Sequence, residues 1–173
     1  AFNELMYFDL PVELDNALFD RAVQEVVQRH EAIWLRFAAD GETQTRIAAH
    51  AFPVEFIDMS KEDDGPTRAL AAVHALRETV FDLGASDPLL RICVIRLGPE
   101  RSLVALVVHH LICDGWGGMV VFEELAATYS ALVTARTPDL AVPVAFSAYA
   151  REQFAAHDAA ARQLDYWRTI YDT

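Results

Sequence analysis

The residues best suited to chemistry lie together in one segment, Val107–Trp116, with the sequence VVHHLICDGW. The unperturbed pKa of histidine lies closer to neutrality than that of the other common side chains, so His109 or His110 could transfer a proton. Adjacent residues of a strand point to opposite faces, so only one of the two can face a given cavity. Asp114 could fold back towards the strand end or cap the following helix, and Gly115 would permit the tight turn. The segment therefore predicts a proton-transfer site at a strand end, with a buried, hydrogen-bonded histidine as the structural alternative.

The same segment gives weaker support for a metal centre or a cysteine nucleophile. The two imidazoles diverge, and no second motif supplies the other ligands of a tetrahedral site. No basic residues surround Cys113 in the sequence, so its thiol is expected to be an inert core group. We therefore predict no bound metal. The remaining histidines are dispersed and are expected at surfaces or helix faces: His30, His50, His74 and His157.

The elements that must position this segment follow from hydrophobic periodicity and turn signals. Strands are expected at residues 2–10, 33–38, 43–48, 53–57, 89–97 and 102–108. The last of these is apolar on both faces, which is typical of a central, buried strand. Helices are expected from Asp15 to about His30, from Pro66 to Val80, from Gly115 to Thr137, and over residues 146–156 and 159–171.

This order of elements predicts an α/β fold of the α+β type, a two-layer sandwich of helices on a largely antiparallel mixed sheet. The strand order stays open at this point. A stripe of apolar residues is expected to bury the second helix: Leu70, Val73, Leu76 and Val80.

Length and composition narrow the class of protein. The 173 residues suit one domain or lobe, and 53% hydrophobic with 23% charged residues is typical of a folded globule. The 14 basic and 26 acidic side chains give a net charge of -12, which argues against nucleic acid or an anionic membrane as a partner. Two cysteines form no disulfide framework, and neither a signal peptide nor a membrane-spanning segment is expected, because the first residues are not basic and apolar in the required order and the longest apolar run is short. A cytoplasmic protein is expected.

Several ordered segments resemble one known family. His109–Trp116 resembles the HHxxxDG motif of the condensation domains of nonribosomal peptide synthetases, in the chloramphenicol-acetyltransferase-like superfamily of acyltransferases. Upstream, Arg29–Phe37 resembles the RHExLRxxF segment of that family, and residues 81–91 resemble its FDL…PLLR stretch. Downstream, Phe146–Ala150 and Tyr166–Trp167 resemble segments near the end of the same lobe. The resemblance implies that residues 1–173 are the N-terminal lobe, without its opening motif and without the second lobe.

The resemblance also implies a role for each motif residue. In this family the second histidine, here His110, faces the substrate tunnel and either deprotonates the attacking amine or positions it. His109 is then expected to pack beneath the site. The motif aspartate, here Asp114, has a structural role paired with an arginine, for which Arg29 is the matching candidate.

Other positions complete the comparison with the family pattern. The motif glycine, Gly115, is expected to border the tunnel, and Trp116 fits either the tunnel entrance or the core. Trp34 stands where the family usually has arginine, and Arg36, on the same strand face, could substitute for it. Gly117–Gly118 replaces the serine often found there, which is expected to loosen the start of the helix.

The function that the resemblance implies is amide formation between a carrier-bound acyl or peptidyl thioester and a carrier-bound aminoacyl amine. The partners would be donor and acceptor peptidyl carrier proteins, the C-terminal lobe and the adjacent synthetase domains. The phosphopantetheine arms belong to the carriers, so the chain itself is expected to bind no cofactor. Because the active site of the family lies between two lobes, the chain alone is expected to be inactive.

Three other functions are compatible with the motif. An epimerisation domain shares HHxxxDG but moves a proton at an α-carbon, and a stand-alone acyltransferase would use coenzyme A or a polyketide carrier. A non-catalytic docking lobe is the third alternative. A heterocyclisation domain fits less well, because aspartate replaces its histidines and both histidines are present here.

Overall fold

The computed structural model describes residues 2–156, 164 and 166–171. The chain divides into two compact units, Ala1–Ala141 and Val142–Thr173. In chain order the first unit contains β1 (Asn3–Leu10), α1 (Asn16–Val27), a short 3₁₀ helix (Glu31–Trp34), β2 (Leu35–Phe37), β3 (Gln44–Arg46), β4 (Val54–Asp58), α2 (Gly65–Glu78), β5 (Leu90–Gly98), β6 (Arg101–His109) and α3 (Gly115–Val133). The second unit contains α4 (Phe146–Ala155), and residues 164 and 166–171 are helical.

The main sheet has the strand order β1-β6-β5-β4. Strand β6 pairs antiparallel with both β1 and β5, whereas β4 pairs parallel with β5. The predicted mixed, largely antiparallel sheet is therefore confirmed, and β6 is central because its residues are apolar on both faces. Strands β2 and β3 form a separate antiparallel hairpin.

Helices cover both faces of this sheet. Leu106 and Val108 belong to a core that includes residues of α1 and α3, whereas Leu103 and Ala105 pack with Ala69 and others of α2. The two sets alternate along β6, as side chains of a strand must. The first unit consequently has three layers where two were expected.

Several element boundaries differ from the sequence prediction for local reasons. Helix α1 ends at Val27 with Gln28 as its C-cap, so Arg29 and His30 lie beyond it. Ile33 and Trp34 belong to the 3₁₀ helix, and the hairpin begins only at Leu35. Helix α3 ends at Val133, and Ala135 then adopts a positive φ of 52°, which stops the helix before Pro138.

The stripe predicted for α2 is partly wrong. Val73 is buried, but Leu70 is 38% exposed. Val80 is 79% exposed, because α2 ends before it, at Glu78. The buried face includes Ala69 instead, one turn before Val73.

In the second unit, no described residue of α4 is buried. The helix predicted over 159–171 is helical at its described residues, while residues 157–163 and 165, with His157, lie outside the described part of the chain. Among the described helices, none has the length and apolar character needed to cross a bilayer.

Candidate active site

The HHxxxDG segment lies where β6 ends and α3 begins. His109 is the last residue of β6, and its backbone N–H donates a 2.9 Å hydrogen bond to the carbonyl of Leu89 in the segment leading into β5. The backbone N–H of His110 donates to the Phe2 carbonyl at 2.8 Å. A tight turn follows, closed by the N–H of Ile112 donating to the His109 carbonyl at 3.1 Å. Hydrogen bonds to the segments leading into the neighbouring strands on both sides therefore hold the two histidines at the edge of the sheet that is formed by the end of β6.

The side chain of His109 is occupied by structural contacts. Its Nδ1 accepts a 3.2 Å hydrogen bond from the backbone N–H of Leu111, and its ring contacts Phe81 edge-on at 6.2 Å between centroids. Burial lowers the pKa of His109, and the neighbouring His110 lowers it further. A neutral imidazole whose Nδ1 accepts a hydrogen bond carries its hydrogen on Nε2. The geometry thus suits packing beneath the site and not proton uptake.

The side chain of His110 is 47% exposed and accessible to a substrate. Its Nε2 lies 3.2 Å from Oε1 of Glu4, a residue of β1 that sequence reasoning missed. The strand register explains the contact, because Asn3 pairs with His109 and Glu4 with Val108. No local signal could have identified Glu4, since it lies more than a hundred positions from His110 and only the pairing of β1 with β6 brings the two together.

Asp114 caps α3. Its Oδ1 accepts a 2.8 Å hydrogen bond from the N–H of Gly117, and its own carbonyl accepts from the N–H of Gly118 at 2.9 Å. This satisfies donors at the first turn, which otherwise have no partner in the helix. Of the two positions that the sequence allowed, the structure places Asp114 at the helix N-terminus.

Replacing Asp114 with alanine is expected to weaken the first turn of α3, whereas asparagine, which retains an acceptor oxygen, is expected to preserve it. Loss of an N-cap typically costs about 1 kcal/mol, so amide exchange at Gly117 should accelerate about fivefold in the alanine variant. Hydrogen exchange followed by mass spectrometry checks this. If the asparagine variant exchanges as fast as the alanine variant, the negative charge and not the acceptor oxygen maintains the turn.

The expected pair between Asp114 and Arg29 is wrong for the described residues. Nε of Arg29 instead donates to Oε2 of Glu124 at 2.9 Å, and its Nη2 donates to the carbonyl of Ala141. Arg29 lies just beyond α1 and faces the middle of α3. Glu124 lies ten residues after Asp114, about 15 Å further along a helix axis.

The carboxylate of Glu124 also contacts His30. Nε2 of His30 lies 3.0 Å from Oε2 of Glu124, and both side chains are mostly buried, at 19% and 15% exposure. His30 therefore lies neither at the surface nor on the face of α1, and the expected surface or helix-face position is wrong for it. Glu124 follows the buried Val121 and precedes the buried Leu125, and an acidic residue in such an apolar stretch was the available signal for a buried ion pair.

The glycines after the motif permit close packing. A Cβ on Gly118 would lie 2.1 Å from Cε of Met6 in β1, so a larger residue at this position would require the flexible Met6 side chain to move. A Cβ on Gly117 would lie 3.1 Å from Sγ of Cys113. The Asp114 cap holds this turn, and the loosening of the helix start stays a prediction. A Cβ on Gly115 would meet no atom within 4 Å, which leaves open space beside the motif glycine.

Three further residues of the family comparison, Trp116, Trp34 and Arg36, differ in their exposure to solvent. Trp116 is 82% exposed, which excludes the core position for it in this chain. Trp34 is 2% exposed, and its Nε1 donates to the carbonyl of Val27 at 2.8 Å. Arg36 is buried and donates to the carbonyls of Leu35 and Ser86, so it anchors the loop before β5.

The thiols fit the expectation of inert core groups. Burial raises the pKa of Cys113 to about 11 and that of Cys93 to about 12, and the carboxylates of Asp114 and Glu55 respectively add to the effect. At neutral pH such thiols are protonated and poorly nucleophilic. Among the described residues, no group of three or more histidine, cysteine or acidic side chains could hold a metal ion.

Comparison with known proteins places this geometry in a family. The sequence matches the family described as Condensation domain over residues 1–173. It is 33% identical to cyclosporin synthetase simA of Tolypocladium inflatum over 157 residues, which cover 84% of this chain and 1% of the synthetase. It is 30% identical to the nonribosomal peptide synthetase TES of Alternaria alternata over 172 residues, which cover 94% of this chain and 3% of that protein.

Solved structures agree in fold. A variant of the starter condensation domain of rhizomide synthetase RzmA, in complex with C8-CoA, has a TM-score of 0.89 at 23% identity, covering 99% of this chain and 40% of that one. The first condensation domain of the CDA synthetase has a TM-score of 0.84 at 22% identity, covering 99% and 45% respectively. The chain thus spans a few per cent of the synthetases that it matches, and less than half of these solved domains. By the match along its whole length, the chain belongs to the condensation-domain family.

Proposed function

We propose that the chain is the N-terminal lobe of a condensation domain that forms amide bonds in a nonribosomal peptide synthetase. The observation that carries the proposal is the contrast between the two motif histidines. His109 uses its Nδ1 lone pair on a backbone N–H, whereas His110 presents a half-exposed imidazole at the same sheet edge. An attacking amine needs one accessible imidazole that can accept its hydrogen bond or its proton.

The reaction joins a carrier-bound amine to a carrier-bound acyl group. The amine attacks the thioester carbonyl, a C–N bond forms and the C–S bond breaks. The amine loses one proton, and the leaving sulfur gains one to become the free thiol of the donor phosphopantetheine. His110 accepts a hydrogen bond from the attacking amine, which keeps the lone pair of the amine nitrogen directed at the carbonyl. His110 thus contributes to the rate through positioning of the amine as well as through proton transfer.

The partners follow from the size of the chain relative to its family. Because the chain covers 40–45% of the solved condensation domains, a second lobe supplies the opposite wall of the site. The substrates are carried by donor and acceptor peptidyl carrier proteins on their phosphopantetheine arms. A complex of one solved neighbour with C8-CoA and Leu-SNAC supports thioester substrates for this fold. The free thiols of Cys93 and Cys113 support a reducing compartment such as the cytoplasm.

The test uses the natural protein that contains this chain, with its donor carrier acylated and its acceptor carrier loaded with an amino acid. Mass spectrometry of the acceptor arm is expected to detect an acyl-aminoacyl product together with a free donor thiol. The matched control is an acceptor arm loaded with the corresponding 2-hydroxy acid, which offers no amine and is expected to give no amide product.

Two outcomes would contradict the proposal. Uptake of solvent deuterium at the α-carbon without amide formation would assign the chain to an epimerisation domain. Equal turnover when acyl-coenzyme A replaces the donor carrier would indicate a stand-alone acyltransferase.

A further inference from the structure

We propose that Glu4 is a positioning residue for His110, forming with it a carboxylate–imidazole dyad built across the β1–β6 pair. The proposal rests on the proposed function, because it assigns a second residue to the site of amide formation. Its basis is the 3.2 Å separation between Oε1 of Glu4 and Nε2 of His110.

The backbone beneath Glu4 is held firmly. The preceding residue, Asn3, is 6% exposed, and its Nδ2 donates to the carbonyls of Arg77 and Thr79 at 2.7 and 2.9 Å. These bonds attach the start of β1 to the end of α2. The ladder to β6 continues through Glu4 opposite Val108. Glu4 therefore presents its carboxylate from a strand whose backbone is held by β6 and by the Asn3 side chain.

The carboxylate of Glu4 is available to His110. Within the described part of the chain, the ion pairs of Glu4 comprise this contact alone, and the neighbouring carboxylate of Asp114 is committed to the N–H of Gly117. The other motif histidine, His109, cannot compete, since it lies on the opposite face beside Phe81. His110 and Glu4 are thus each other's partners at the exposed edge of the sheet.

The chemistry of this dyad follows from the two ring nitrogens. The negative charge of the Glu4 carboxylate beside Nε2 favours the tautomer of His110 with hydrogen on Nε2 and leaves the lone pair on Nδ1. The same carboxylate stabilises the positive charge when Nδ1 takes a proton from the attacking amine, as the third member of a catalytic triad does. The reaction balance is unchanged, because the proton then passes to the leaving sulfur.

The test compares Glu4→Leu and Glu4→Gln in the natural protein, with Asp9→Asn as the matched control. Asp9 lies on the same strand and pairs with Arg101 far from the motif. Glu4→Leu is expected to lower the kcat for amide formation about 5-fold, the upper size expected for loss of an ion pair between half-exposed side chains, with KM for both loaded carriers unchanged. Glu4→Gln keeps the size of the side chain but removes its charge and is expected to show a similar loss, while Asp9→Asn keeps the wild-type kcat.

A double-mutant cycle with His110→Ala separates positioning from a structural effect. If Glu4 acts through His110, Glu4→Leu has no further effect on kcat once His110 is alanine. The proposal is overturned if Glu4→Leu matches the Asp9→Asn control, or if it lowers kcat equally in both backgrounds. The proposed function fails differently: the wild-type protein then forms no amide at all.

Discussion

Replacing His110 with alanine is expected to lower the rate of amide formation by about 10²–10⁴-fold, the range that a positioned general base contributes. The reason is geometric, since His110 presents the accessible imidazole of the motif, whereas Nδ1 of His109 accepts a hydrogen bond from a backbone N–H. The measurement is single-turnover formation of the acyl-aminoacyl product between loaded carriers. Positioning by the rest of the site leaves a residual rate above that of the uncatalysed reaction.

The control for this variant is His74→Ala, which removes an exposed imidazole from α2 on the far face of the sheet. Its rate is expected to equal that of the wild type. Hydrogen exchange in β6 and α3 establishes that both variants fold alike. An unchanged rate in a well-folded His110→Ala protein would remove His110 from the chemistry and leave the motif with a structural role only.

The second large effect concerns stability. Replacing Glu124 with glutamine is expected to destabilise the contact between the end of α1 and α3 by about 2 kcal/mol, less than a fully buried ion pair and more than a surface one. The substitution leaves the guanidinium of Arg29, whose side chain is 25% exposed, without its carboxylate, and it also weakens the contact of His30. Amide hydrogen exchange in α1 and α3 of the natural protein should then accelerate about 30-fold, because a loss of about 2 kcal/mol raises the population of the open state by that factor.

The residue next to Glu124 in the sequence offers a matched control. Glu123 is exposed, so Glu123→Gln removes the same charge from the same turn of α3 and should change exchange by less than about 2-fold. A second check is Arg29→Met combined with Glu124→Gln, which removes the unpaired cation and should restore part of the stability. Equal exchange in the Glu123 and Glu124 variants would mean that the ion pair contributes no stability.

Local interactions made much of the site predictable. Asp114 caps α3 through a residue three positions away, and Asp15 caps α1 in the same way, so short stretches of sequence contain both partners. The central position of β6 followed from its apolar residues on both faces, and the opposed faces of His109 and His110 followed from the alternation of a strand.

Long-range packing decided the contacts of the site that could not be predicted. The resemblance to the family led us to expect an ion pair between Arg29 and Asp114. The acidic partner of Arg29 in fact depends on which turn of α3 faces the end of α1. That is set by how the two helices pack, and Glu124 is the residue found there. The exposure of Trp116 was likewise undecided, because its residue type suits the core and a tunnel entrance equally well.

The contact between Glu4 and His110 is the clearest case. The sequence alone determined that a strand, a turn and a capped helix place two histidines at a sheet edge, since each of those features arises from residues a few positions apart. Only the tertiary structure decided that β1 lies beside β6 in the register that sets Asn3 opposite His109, and so brings the Glu4 carboxylate to the imidazole. The physical reason is that strand order and register depend on burial of the whole sheet between α2 on one face and α1 with α3 on the other.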